Sequence, residues 1–300
     1  MNVHTTERKM EIRNLLFTFG GVVIVLLFLS VVIERKSLAV KPPVMDTLHL
    51  AEKPRITAEP PVIPKTRVKI QPLMVRFPPL PDFSAFRQID QRKAAFIDYM
   101  TPIVEYQNDK ILMDRNYLEQ IAQLIVSGEP LSFQQQKWLE QLAEKYDVEW
   151  EDGNPGAVVV KLARRVDIVP LSLALVQAAK ESSWGRSRYA VQANNLFGQW
   201  CFNEGCGIVP AERDSDAGHE VKRFKTVNEA TRSYIHNLNT HAQYADLRQI
   251  RQKLRIYRKP ITGPALADGL LYYSERRQAY VEEVKSMIHQ YRIFQERREG

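Results

Sequence analysis

Leu15 to Ile33 reads LLFTFGGVVIVLLFLSVVI and carries no charge. At ~1.5 Å of rise per residue, a helix of that length crosses the ~30 Å hydrocarbon core of a bilayer. A cleaved signal peptide competes with this reading. Its apolar region is shorter, ~7–15 residues, and a small-residue cleavage site should follow. Here Glu34, Arg35 and Lys36 follow at once, and Ser37-Leu38-Ala39 lies beyond those charges. A buried soluble helix would need a polar face, and there is none. The expectation is an uncleaved anchor over residues 15–33. Residues 1–14 are then cytoplasmic and the long remainder is translocated. Arg8, Lys9 and Arg13 before the span nearly balance Arg35, Lys36 and Lys41 after it, so charge alone does not set the orientation.

The two cysteines bear on the compartment. Cys201 and Cys206 sit in WCFNEGCGI and suit a small disulfide-closed loop in an oxidising space. Two thiols with no histidine at a ligand spacing do not make a zinc site, and no cofactor is expected. The formal charge of +7 favours an anionic partner: nucleic acid, acidic lipid or a cell-wall polymer. A bacterial periplasm removes nucleic acid from that set.

Residues 34–82 form a linker containing KPPV, EPPVIP and RFPPLP, with no glycine. Such a segment is extended and stiff. From residue 83 to 150 the pattern is helical. Phe96, Met100, Ile103, Val104, Ile111, Leu112, Tyr117 and Leu118 recur at helical spacing, with a break or kink expected at Pro102 and a stop at Gly128. A second helix carries Trp138, Leu139 and Leu142. Together they read as an accessory segment of packing helices.

Beyond the turn EDGNPG the main domain spans residues 151–295. Its first helix places Val160, Ala163 and Val166 in register. Val169-Pro170 interrupts, and Ser172 is the expected cap of the next helix. Residues 193–225 change to Asn, Gly, Cys and Asp and read as a loop with a β-hairpin. Its strands lie near Gly207–Glu212 and His219–Phe224, with DSDAG as the turn. Thr226 and Glu229 match a capping box, followed by Ala230, Tyr234 and Leu238 on one face. Val281, Val284, Ile288 and Tyr291 mark a last helix. The fold class is mainly α with one small β element.

VPLSLALVQAAKESSWGRS is the informative stretch. Leu171, Ala174, Leu175 and Ala178 form an apolar stripe, and Glu181 continues it. A carboxyl group there emerges at the edge of the core. Desolvation and the negative end of the helix dipole both raise its pKa, while Lys180 and Arg186 oppose the rise. A carboxyl that keeps its proton near neutral pH suits general-acid work.

ESSWGRSRYAVQANNLFG, Glu181 to Gly198, resembles the signature of bacterial peptidoglycan β-N-acetylglucosaminidases. Flagellar hydrolase and autolysin glucosaminidase domains belong to this family. WCFNEGCGIVP and HEVKRF resemble its Bax-like branch, and the resemblance covers about residues 157–290. It implies a lysozyme-like α+β domain that cleaves peptidoglycan glycan strands between GlcNAc and MurNAc. It implies Glu181 as the general acid and a sharp chain turn at Gly185. Asn194, Asn195 and Phe197 would shape the loop flanking the sugar, or serve as turn and core residues. Trp184 would stack on a sugar or pack beneath the loop.

Glycosidases commonly pair two carboxylates. By position the resemblance assigns the second to Glu212, twelve residues before Phe224, with Asp214 and Glu220 as rivals. It also implies a catalytic tyrosine, matched by Tyr273 alongside Tyr280, with Tyr272 open. The substrate's own N-acetyl group is the alternative nucleophile. His241 is read as a cap at a helix junction rather than a base. Lytic transglycosylation and a non-catalytic wall-binding or assembly role are the competing functions.

Overall fold

The structure, a computed structural model, describes residues 75–211 and 218–299. The expected membrane span, most of the linker, Glu212 and Asp214 lie outside the described residues. Among those described, no helix is long and apolar enough to cross a membrane.

The protein is mainly helical. After a short 3₁₀ turn at Phe83–Ala85 come α1 (Ile89–Val126), α2 (Phe133–Lys145), α3 (Pro155–Arg165), α4 (Leu171–Glu181) and α5 (Arg188–Ala193). A small sheet follows, built from β1 (Trp200–Cys201), β2 (Gly207–Ile208) and β3 (Glu220–Lys222). The chain returns to helix with α6 (Val227–Thr240), α7 (Ala245–Ile256), α8 (Gly263–Ala267) and α9 (Gln278–Glu299).

α4 is the central element. Leu173 to Ala179 are all buried, so the helix has no solvated face, only the exit at Glu181. Ala174, Leu175 and Ala178 of the expected stripe are buried, and the burial extends around the rest of the helix. α1, α9 and α8 pack around it, and Leu171, placed on the stripe, is only partly buried. Pro170 precedes the helix, and Ser172 lies inside it rather than capping it. The Ser172 hydroxyl faces Gly263, where a Cβ would come within 2.5 Å of it. Close packing of α8 thus decides the role of this serine.

α1 runs through Pro102, so of the expected break or kink the break does not occur. Phe96, Met100, Ile103 and Val104 are fully buried on both sides of the proline. Their burial offsets the ~3 kcal/mol that proline costs inside a helix. The neighbouring Thr101 turns its hydroxyl back to the Ile97 carbonyl at 2.8 Å. α1 also shares one hydrophobic core with the rest of the chain. Asn108 makes a reciprocal pair with the Val169 backbone, donating at 2.8 Å and accepting at 3.2 Å. Gln107 donates to Asn228 of α6 at 2.6 Å.

A buried ionic cluster ties α1 to α3 and α7. Asp167 accepts two bonds from Arg255, at 3.0 and 2.6 Å, and lies 3.4 Å from Arg115 of α1. Arg251, 1% exposed, donates to the carbonyls of Asp167 and Ile168 and to Asn239. Burial pushes the Asp167 carboxyl up, but Arg115, Arg251 and Arg255 outweigh it and hold it down at about 2.

On α3 the buried residues are Val158, Val159 and Leu162, with Val166 just beyond, rather than the expected Val160 and Ala163. The β region is also richer than the expected hairpin. β2 and β3 pair antiparallel, but β1 adds on the far side of β3, giving the order β1-β3-β2. Thr226 caps α6 by accepting from the Glu229 amide at 3.1 Å. Glu229 reaches back to the Lys225 amide, one residue earlier than a strict capping box.

Candidate active site

Glu181 is the last residue of α4, and the turn after it is unusual. Ser183, Trp184 and Gly185 have φ values of 51°, 59° and 78°. The Trp184 amide bonds back to Ala179 at 2.8 Å and the Ser183 amide to Lys180 at 3.5 Å, which is a Schellman closure. Left-handed conformation costs a non-glycine residue ~1–2 kcal/mol, so Ser183 and Trp184 hold strain beside the carboxylate. Ser182 offsets it: its buried hydroxyl donates to the Ala178 carbonyl at 2.6 Å and accepts from the Gly185 amide at 2.8 Å. Gly185 must be glycine for a second reason. A Cβ there would lie 2.4 Å from the Phe83 ring. The segment before α1 therefore closes against the turn that follows Glu181.

Four side chains form one directed hydrogen-bond chain. Tyr234 donates to Gln177 Oε1 at 2.6 Å, Gln177 Nε2 donates to the Tyr280 hydroxyl at 3.0 Å, and Tyr280 donates to Glu181 Oε1 at 2.9 Å. Gln177 sits one turn before Glu181 on α4 and is fully buried. Because the Tyr280 oxygen accepts from Gln177, its proton points at Glu181. Oε1 is then the accepting oxygen, which leaves Oε2 as the oxygen free to hold a carboxyl proton. Oε2 faces Gly198, where a Cβ would stand 4.0 Å away. Burial pushes the Glu181 carboxyl above the ordinary glutamate range. The Tyr280 hydrogen bond and Lys180 pull it back in part, and Glu283 adds to the rise. Lys180 and Arg276 both pair with Glu283, at 2.5 and 2.9 Å.

The loop facing Glu181 is held from within. Asn194 takes the left-handed position that ends α5, and its amide donates to the Phe224 and Lys225 carbonyls. Asn195, 1% exposed, donates to the Gln199 and Lys222 carbonyls at 2.8 and 2.9 Å. Its Oδ1 accepts from the Phe197 and Gln199 amides. Both asparagines spend their side-chain amides on the loop and on the chain around β3. Phe197 is buried, stacked on Tyr234 with centroids 4.0 Å apart. These residues position Gly198 against Glu181.

The hydroxyl that meets Glu181 belongs to Tyr280. Tyr273 stacks on Tyr280 at 5.3 Å and donates its own hydroxyl to the Phe197 carbonyl at 3.0 Å. Tyr272 is exposed under Arg277. Trp184 lies edge-on against Phe96 of α1 at 5.6 Å, with Lys93 over its ring at 5.4 Å. His241 caps the 3₁₀ turn after α6, its ring nitrogen accepting from the Gln243 amide.

Cys201 and Cys206 are joined as a disulfide, with Cα atoms 6.2 Å apart. Glu220 stands against this loop, accepting from the Gly205 and Gly207 amides at 2.9 and 2.7 Å. Its carboxylate is committed to closing the disulfide loop. Although Glu220 and the two cysteine sulfurs lie within 4.8 Å of one another, oxidation removes the thiolates a metal would need.

Sequence reasoning did not single out Gln177, Gly198 or Trp200. Gln177 offered one signal, a lone polar residue in an apolar run.

The glucosaminidase family model, described as mannosyl-glycoprotein endo-beta-N-acetylglucosaminidase, matches residues 156–293. The chain is also 32% identical over 209 residues to Protein bax of Escherichia coli strain K12, covering 67% of this chain and 70% of that one. No solved structure matches it.

Proposed function

The chain belongs to the glucosaminidase family, in its Bax-like branch, and on that premise we propose that it is a membrane-anchored peptidoglycan hydrolase with Glu181 as its general acid. Family membership implies a glycoside hydrolase acting on a glycan. The finer reading is cleavage of the backbone between GlcNAc and MurNAc by a lysozyme-like domain. The anchor at residues 15–33 would hold that domain on the periplasmic side of a bacterial inner membrane.

The directed chain from Tyr234 through Gln177 and Tyr280 to Glu181 carries this reading. It fixes the accepting oxygen of the carboxyl, while burial favours a proton on the other. Glu181 Oε2 then gives its proton to the glycosidic oxygen as the bond to the anomeric carbon breaks. Tyr280 remains a donor to Oε1 and stabilises the carboxylate left behind. Glu212 is the assigned partner, either activating water or attacking the anomeric carbon directly. With Glu220 committed to the disulfide loop, the substrate's N-acetyl group is the alternative to Glu212.

Digestion of purified sacculi tests the assignment. Mass and reducing-end analysis should find hydrolysed ends on GlcNAc. Anhydro-MurNAc ends would show transglycosylation instead, and intact glycan bound to the protein would show a wall-binding factor.

A further inference from the structure

The small sheet presents an aromatic surface that the mechanism above does not use. Trp200 is 56% exposed and Phe202 is 76% exposed, although both stand in the part of the chain that leads away from Glu181. The Trp200 indole stacks on the His219 ring with centroids 4.1 Å apart and planes 18° from parallel. One face of the indole is therefore covered by His219, and more than half of the residue's surface remains exposed.

The mounting of this ring is rigid. Trp200 is the register partner of Val221 in β3, and Cys201 is the partner of Glu220. The next residues are closed by the Cys201–Cys206 disulfide, and Glu220 ties down the Gly205 and Gly207 amides. On the other side, the Asn195 amide holds the Gln199 carbonyl, immediately before Trp200. The backbone under the ring is thus held, and the His219 stack orders the side chain itself, which reduces the freedom that binding would otherwise cost.

Its position says what it would meet. Gly198 faces Glu181 Oε2, and Trp200 follows two residues later. Two residues of extended chain span at most ~7 Å. The backbone that carries the indole is thus tied to the chemistry over the scale of one or two sugar rings. The flat, weakly polar C–H face of a pyranose is the surface that an indole face fits, with apolar burial and the negative π-face against positive C–H edges.

We propose that the open face of Trp200, backed by His219, is a saccharide-stacking subsite that holds the glycan strand beside the scissile bond. This rests on the hydrolase reading of Glu181. The subsite binds ground state and transition state alike, so it acts on KM rather than kcat.

The test uses the full chain in detergent and soluble, uncrosslinked β-1,4-linked GlcNAc–MurNAc oligomers. Trp200→Ala should raise KM roughly three- to tenfold with kcat nearly unchanged, and Trp200→Phe should recover most of the loss. Phe133→Ala on α2 removes a still more exposed ring elsewhere and should change neither constant. In a Glu181→Gln background, calorimetric affinity for the same oligomers should fall by the same factor on adding Trp200→Ala. An unchanged KM and affinity in the Trp200→Ala protein would overturn the subsite while leaving the hydrolase intact. A fall in kcat alone would overturn it too, assigning Trp200 to support of the Glu181 loop. If the wild type cleaves nothing, the calorimetry still decides. Trp200-dependent binding upholds the subsite without hydrolysis, and no binding by the wild type overturns both.

Discussion

Tyr280 donates its hydroxyl hydrogen to Oε1 of Glu181 at 2.9 Å, across a sequence separation of 99. A hydrogen bond to the charged form of a carboxyl lowers its pKa. Tyr280→Phe removes that bond, so the Glu181 carboxyl should hold its proton to higher pH. The basic limb of the pH–rate profile should move up, and the maximum rate should fall as the departing carboxylate loses its donor. An unmoved basic limb would mean that Tyr280 does not tune the acid.

Gln177 is the link that sets the direction of the Tyr280 proton. Gln177→Leu leaves two buried hydroxyls, of Tyr234 and Tyr280, without their partner. Each such loss costs about 1–3 kcal/mol. Chemical denaturation should therefore show a drop of about 2–6 kcal/mol, and the basic limb should shift in the same direction as for Tyr280→Phe.

Glu181 itself should cost stability. Its folded-state pKa lies above the ordinary value, so its contribution is fully present at low pH and is lost as pH rises through the raised pKa. At neutral pH the buried carboxylate is unfavourable. Glu181→Gln should raise the melting temperature at pH 7, and this gain should vanish below about pH 4.

Asp167 has the opposite sign. Its folded pKa is depressed to about 2, so its stabilisation is present above the unfolded value near ~3.9 and is lost as pH falls towards 2. Asp167→Asn leaves Arg251 buried without its counter-charge, while Arg115 keeps its pair with Glu119. The variant should lose about 3–5 kcal/mol at pH 7 by denaturant titration, and much less of that difference should remain near pH 2.

Gly185 couples the Glu181 turn to the segment ahead of α1. Gly185→Ala forces a Cβ into the Phe83 ring and adds positive-φ strain. A loss of several kcal/mol is expected. Phe83→Ala combined with Gly185→Ala should be less destabilised than the sum of the two single changes, as read in a double-mutant cycle.

What could be read from sequence and what could not divides along physical lines. Glu181 was legible because a charge ending an apolar helix is a local pattern, and the helix ends there. The stripe on α4 is buried from Ala174 to Ala178, but helical periodicity marks only one face. It cannot say that α1, α8 and α9 bury the other faces too. A break at Pro102 does not occur, since tertiary burial around it overrides a local penalty. β1 is two residues long, too short for any alternation to register. Tyr280 resembled a family position, but its bond to Glu181 depends on α9 packing beside α4. Gln177 looked like one polar residue in an apolar run until the fold placed two tyrosines at its ends.

The central claim is that Glu181 supplies the proton that breaks the glycan. The direct measurement is muropeptide release from purified sacculi by the full-length wild type and by Glu181→Gln. Both must first give the same cooperative melting transition. The account predicts release by the wild type and none by the folded variant. Equal release by both would contradict it.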